Sequence, residues 1–332
     1  AVMIGISALG MSAARGMLSQ SVVTVFMRRF GDLLSGLYPP ADWAAEAAAG
    51  RAGAWLPMIA SALAALALLT AAAVSGFSRI ADALAAGERA GRGRARAIRP
   101  KAPLLALYQK EVRRYTSSSI YLMNTSAGWL MLLLAAGCIA LTNVESVTAL
   151  LRAALPEEMP LFSLLPLVPA LMAGMSQTTG CSISMEGRQM EVMRSYPVAM
   201  RDWLGAKLLL SLTSAVPVLG ICCAVFSAKL KLRGGEAMLL LLFPLSSALL
   251  CGVLGLAFNL AFPRFDWEKE MNVVKNSLSV TLSILTGMLL PIAVGALCIA
   301  TGRVQSVMAA ACAVQTVCAA LLFGRLTRAR MP

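Results

Sequence analysis

Histidine is missing from all 332 residues, which removes His-based triads, imidazole metal sites and histidine proton relays from the possible mechanisms. Charge is scarce as well: Asp, Glu, Lys and Arg together make up 14% of the chain, against 58% hydrophobic residues. So little polar material cannot cover a water-soluble globule. The composition also excludes disorder, collagen and a disulfide-stapled secreted scaffold. No C-x-x-C spacing joins the eight cysteines, which all lie in apolar segments and read as packing residues. There is no G-x-x-x-x-G-K-[ST] run, so the chain cannot cradle a nucleotide by the P-loop route, and nothing in it calls for a cofactor.

What the sequence does have is long apolar runs. A bilayer core takes about 20 apolar residues in helical form, because lipid offers the backbone no hydrogen bonds. Seven stretches qualify, at approximately 54–75, 119–142, 161–183, 203–226, 237–262, 279–300 and 304–324. None contains Asp or Glu, and Lys207 falls at the edge of one. Residues 1–27, interrupted by Arg15, read as the remnant of an eighth span. The expected fold is an all-α, polytopic helical membrane protein of seven clear transmembrane helices plus a truncated eighth.

Lys and Arg number 29 against 16 acidic residues, a surplus of 13. In a polytopic chain this reads as cytoplasmic loop bias and not as a nucleic-acid footprint. Placing 76–118 inside puts twenty of the 29 basic residues on the cytoplasmic side. The C-terminus is then cytoplasmic and the protein a multi-pass resident of the cell membrane. Gly, Arg and Pro between Gly87 and Pro103 mark a linker, followed by an amphipathic stretch at 104–115. The expected organisation is therefore 1–75 as the last spans of a truncated membrane half, 76–118 as linker and interfacial helix, and 119–332 as a six-span membrane domain. The start at Ala1, inside an apolar stretch, points to a fragment.

Two cytoplasmic segments carry more than a connector needs. The first, 184–202, reads SMEGRQMEVMRSYPVAMRD. Its methionines supply soft apolar contacts, Glu186, Arg188, Glu191 and Arg194 supply charge of both signs, and Pro197 stops any helix near Tyr196. A solvated turn has the same pattern as a docking surface for a cytoplasmic partner. The second, 262–279, reads FPRFDWEKEMNVVKNSLS. Here Asp266 is placed to cap a helix whose first turn holds Glu268 and Glu270. Trp267, Met271, Val274 and Leu278 recur at helical spacing as one apolar stripe, with Lys275 on the same helix. Such a helix lies in the membrane interface against lipid, or meets a partner.

Glu186-Gly187-Arg188, then Arg194-Ser195-Tyr196-Pro197-Val198, resembles the E-G-[KR]…[KR]-S-x-P-[VI] stretch of ABC exporter permeases of the ABC-2 type from Gram-positive bacteria. F-P-R-F-D-W-E-K-E-M-N-V-V-K at 262–275 is similar to F-P-x-F-D-W-E-N-E…V-V-K of the same permeases, with Lys269 in place of the usual Asn. The resemblance covers the chain from about residue 100 onward. It implies a permease of two six-span halves that works with a separate ATP-binding subunit, docked by the loop between the second and third spans of a half. In this chain that loop is 184–202, with Glu186, Gly187, Arg188, Glu191, Arg194, Tyr196 and Pro197 as docking candidates.

Within the spans, Pro166, Pro169, Pro217 and Pro291 are expected kinks, and Gln177 lies in a polar end, Ser176-Gln177-Thr178-Thr179; these are the candidates for a pathway. Ser247, Cys251 and Gly255, and likewise Gly287, Pro291 and Gly295, repeat at four-residue intervals and read as close helix-packing faces. With no Asp, Glu, Lys or His inside a span, proton coupling has no evident carrier, although carbonyls at a broken helix could still hold sodium, and energy is expected from another chain. The expected function is the membrane subunit of an ATP-driven exporter of an unidentified, amphipathic or hydrophobic substrate, itself no enzyme. The rivals are an ion-coupled secondary transporter and an assembly subunit. An intramembrane enzyme needs a nucleophile and base at membrane depth, and no span offers both.

Overall fold

The computed structural model describes residues 102–141, 161–232 and 234–328, together with parts of 43–71. The described part of 43–71 belongs to a separate compact unit and contains the apolar helix Trp55–Leu68. The expected remnant at 1–27 and all of the expected linker at 87–103 except Ala102 and Pro103 lie outside the described residues.

The main unit consists of helices and connecting segments, with no strand among its described residues. Helix α1, Pro103–Ser117, starts with a proline at its first position, where a missing N–H costs nothing. It buries Leu107, Glu111 and Tyr115 on one face. Helix α2 spans Ser119–Leu141. The run expected to be one span at 161–183 is instead three short helices: α3 Leu161–Leu164, α4 Leu167–Met175 and α5 Thr179–Ser182. Pro166, which has no N–H to give to the ladder, and the polar Ser176-Gln177-Thr178 run, where the Gln177 side chain donates to the Ala173 carbonyl, interrupt it. A tight 3₁₀ turn at Ser184–Gln189 leads to α6, Met190–Ser195. Three long helices and one short one follow: α7 Met200–Leu230, α8 Gly234–Ala261, the short α9 Glu270–Val274, and α10 Leu278–Thr301. Val304–Leu326 forms the last helix, α11.

Five helices, not the seven read from the sequence, are long and apolar enough to cross a membrane among the described residues: α2, α7, α8, α10 and α11. The chain is thus a multi-pass helical membrane protein. Helix α8 is central, with 61% of its apolar window buried against 33% or less for the others. It packs on α4, α5, α7, α10 and α11. Small residues allow the closest approaches. Gly174 of α4 and Gly287 of α10 face each other backbone to backbone, Gly255 sits against Thr179 and Gly180, and Gly295 lies under Leu167. The four-residue repeats are therefore packing faces.

Helices α7, α8 and α10 run through Pro217, Pro244 and Pro291 without interruption. Pro217 is exposed, whereas Pro166, Pro169 and Pro291 are buried.

Four pieces gather at one end of the bundle: α1, the 184–202 segment, the 262–277 segment and the C-terminal turn of α11. Leu107, Met190, Trp203, Phe265, Phe323 and Leu326 share one apolar cluster there.

Candidate functional site

At that end lies a buried ion network. The spacing of Lys110, Glu111 and Arg114 brings all three to the side of α1 that meets the 184–189 turn and α7. Glu186 of the turn accepts from Lys110 Nζ at 2.9 Å, Arg114 Nη2 at 2.7 Å and Lys207 Nζ at 2.9 Å. Lys207 Nζ also donates to Glu111 Oε1 at 2.8 Å and to the Ser182 carbonyl at 2.9 Å. Its three protons are thereby used, and the ammonium lies 5.2 Å from the centre of the Trp203 ring. The side chains of Lys207 and Glu186 are wholly buried and that of Glu111 nearly so. Three cations meet two carboxylates, which leaves one positive charge in excess. Burial alone pushes the Glu186 carboxyl up, but Lys207, Arg114 and Lys110 outweigh it and hold it well below the usual carboxylate range. Burial lowers Lys110, against the pull of Glu186.

Lys207, expected at the edge of a span, is a fully buried hub in the second turn of α7. Helix α7 has 31 residues where a bilayer takes about 20, and the surplus allows Lys207 to sit at interfacial depth. Glu186, expected on a docking surface, instead has its side chain in the interior.

Gly187 is also buried. Its φ of 52° and ψ of −136° lie where side chains are disfavoured, and a Cβ there would be 3.1–3.3 Å from the Trp267 indole. Trp267 in turn donates Nε1–H to the Ser184 carbonyl at 2.8 Å. Asn259 of α8 completes the clamp. Its Oδ1 accepts from the amides of Ile183 and Ser184 at 2.7 and 3.0 Å, and its Nδ2 donates to the hydroxyls of Ser184 and Ser279 at 2.8 and 3.0 Å. The two segments singled out in the sequence, far apart along the chain, are thus one folded piece. Between them is an open cleft of about 480 Å³ lined by Arg114, Arg188, Phe265, Trp267, Glu268 and Glu270, among others.

The second segment does not form the expected helix. Asp266 caps nothing: the helix starts at Glu270 with Lys269 as its N-cap, and Ser277 opens α10 separately by accepting from the Val280 amide. Glu270 instead accepts from the Ser118 hydroxyl. The stripe is split, with Val274 buried, Trp267 packed inward, and Met271 and Leu278 exposed. Glu268 and Lys275 are exposed as well. In the first segment, α6 ends where Pro197 requires, with Tyr196 extended. Met190 and Met193 point inward while Arg188, Glu191, Arg194, Tyr196 and Pro197 stand on the surface. Gln177 is buried, its Nε2 bonded to the Ala173 carbonyl at 2.6 Å and its Oε1 without a partner.

Sequence reasoning passed over Glu111 and Asn259. Glu111 did carry a signal, since it falls at the i+4 position of the Leu107, Glu111, Tyr115 stripe, where a carboxylate has to find a buried partner. No group of His, Cys, Asp and Glu among the described residues has the arrangement of a metal site. No protein-family model, curated protein or solved structure matches the chain.

Proposed function

We propose that the chain is the membrane-spanning permease subunit of an ATP-driven ABC exporter of the ABC-2 type, located in the cell membrane with its C-terminus in the cytoplasm. The observation that carries the reading is the joining of the two family-like segments through Trp267 on Gly187 and Ser184. Two stretches that resemble one family separately also make one site together, at the end where the basic residues concentrate. The surface residues Arg188, Glu191, Arg194, Tyr196 and Pro197 would meet the ATP-binding subunit. Glu186, Gly187 and the ions beneath them hold that surface on α1 and α7. The site supplies no hydrolytic chemistry of its own, and ATP is bound on the partner. The substrate crosses as an amphipathic or hydrophobic molecule.

Co-purification with candidate ATP-binding cassette proteins tests this. Arg188→Glu and Glu191→Lys are expected to weaken that association while membrane insertion is retained; association unchanged in both would favour a plain loop. Labelling of single cysteines at Arg194 and Lys275 from the cytoplasmic face checks the orientation.

One observation favours a second reading, an ion-coupled secondary transporter: Glu111 Oε2 is buried without a hydrogen-bond partner, so the chain does hold a buried carboxylate next to its spans. Against it, both carboxylates are tied to cations at one end of the bundle, where they brace helices instead of facing a central path.

A further inference from the structure

One side chain stands in the break between α4 and α5. Gln177 Nε2 donates to the Ala173 carbonyl at 2.6 Å. Ala173 is four residues back, so this carbonyl is the one that the Gln177 backbone N–H would take in an unbroken α-helix. The side chain thus occupies the partner of its own backbone. The N–H groups of Gln177 and Thr178 donate to no backbone carbonyl among the described residues, although both residues are buried. The Gly174 carbonyl, which is the helical partner of the Thr178 N–H, lies against the backbone of Gly287. Gln177 Oε1 is sealed without a donor as well, facing Gly252 of α8. Buried groups left unpaired in this way each carry a desolvation cost.

Few torsions separate this arrangement from a continuous helix. Thr178 already has helical angles, φ −79° and ψ −28°, while Ser176 departs from them with φ −97° and ψ 40°. The Ser176 N–H is shared between the Met172 and Ala173 carbonyls at 3.1 and 3.3 Å, so the helical ladder is intact up to the residue before Gln177. The faces on which the two halves rest are built of small residues, Gly287 for α4 and Gly255 and Ser283 for α5. Either half can shift on such a face without lifting a large side chain out of a socket.

We propose that 167–182 is a two-state element and that Gln177 is its latch. In the closed arrangement the side-chain amide leaves the Ala173 carbonyl, the Gln177 N–H takes it, the Thr178 N–H takes the Gly174 carbonyl, and α4 and α5 run on as one helix. Gln177 Oε1 is released from its sealed position in the same step. Helix α5 leads through Ile183 into the turn that carries Glu186, and that turn is fixed by Asn259, Lys207 and Trp267. Opening and closing therefore change how α4 is set relative to the fixed turn. The two states rest on backbone geometry alone and are independent of the transporter reading.

Thr178-Thr179 is the one Thr-Thr pair in the sequence. The full chain labelled with carbonyl-13C and 15N threonine therefore gives a single bonded carbon–nitrogen pair, at the joint itself. Saturation-transfer NMR of that signal in micelles is expected to show a minor state of about 1–10%, displaced toward helical shifts. This measurement needs no variant. Gln177→Met keeps the length and helix propensity of the side chain but has no N–H to donate. It is expected to invert the two populations, a rise of about tenfold or more in the closed form, and to bring the main signal to the position of the wild-type minor one. Gln315→Met removes a buried amide from α11, where Oε1 accepts from Ser246 and Ser247, and is expected to leave the signal where it is. A wild-type signal without a minor state, or a Gln177→Met signal at the wild-type main position, would mean that the break is fixed and would overturn the proposal. An equal displacement by Gln315→Met would reduce the effect to loosened packing and overturn it as well.

Discussion

Lys207 Nζ lies 2.8 Å from Oε1 of Glu111, a carboxylate 96 positions earlier in the chain, and both side chains are sealed from solvent. This pair fastens α1 to α7. Lys207→Met leaves Glu111 only the longer Arg114 contact at 3.6 Å, so it is expected to destabilise the protein by about 3–5 kcal/mol. Glu111→Leu added to Lys207→Met should recover most of that loss, because a buried ion pair replaced by apolar groups of similar size is close to neutral. Chemical unfolding in micelles of both single variants and the double variant measures the coupling. Additive losses would show that the two side chains do not act as a pair.

Glu186 gives the protein a sign-defined response to acid. Its folded carboxyl is held below the ordinary value of 4.5 by Lys207, Arg114 and Lys110 despite burial. The stability it contributes is therefore fully present above about pH 5 and is lost progressively as pH falls below 4.5, where the unfolded chain takes up a proton that the folded one refuses. Glu186→Gln should flatten this part of the stability profile. A profile of unchanged slope would place the acid sensitivity elsewhere.

Gly187→Ala is expected to cost about 1–3 kcal/mol, since it forces a side chain into a disfavoured backbone region and toward the Trp267 ring. Gly302 also has positive φ, at 65°, but has open space around it, so Gly302→Ala should cost less. Indole fluorescence on unfolding compares the two variants. Equal losses would mean that the contact with Trp267 contributes nothing.

Gly174 and Gly287 are in backbone contact, and a Cβ on either would overlap the other helix. Alanine at either position is expected to separate α4 from α10 and lower the yield of monodisperse protein severalfold, whereas Gly137→Ala, with open space around it, should not. Size-exclusion profiles distinguish these outcomes.

The positions of α7, α8, α10 and α11 were legible to within a few residues, because an uninterrupted apolar run has few ways to satisfy its backbone in lipid. The break at Ser176-Gln177-Thr178 was less so: hydropathy does not register hydroxyls and amides that compete for backbone groups. The site was half legible. The charge and glycine of Glu186-Gly187 marked the right place, yet periodicity could not tell that Glu186 turns inward, since its partners Lys110, Arg114 and Lys207 come from other elements. The second segment misled for the same reason. Its apolar stripe suited a helix on a surface, but Trp267 is held by Ser184 and Gly187, and Ser277 starts a new helix before Leu278.

The central claim is that energy for transport arrives from a separate ATPase through the surface built on Glu186 and Lys207. Transport in liposomes by the chain, reconstituted with a candidate ATP-binding cassette protein, tests it most directly. The account predicts substrate movement when ATP is supplied on the cytoplasmic face, little effect of a protonophore, and loss of coupling in Arg188→Glu. Transport driven by a proton gradient without the ATPase, and abolished in Glu111→Gln, would contradict it.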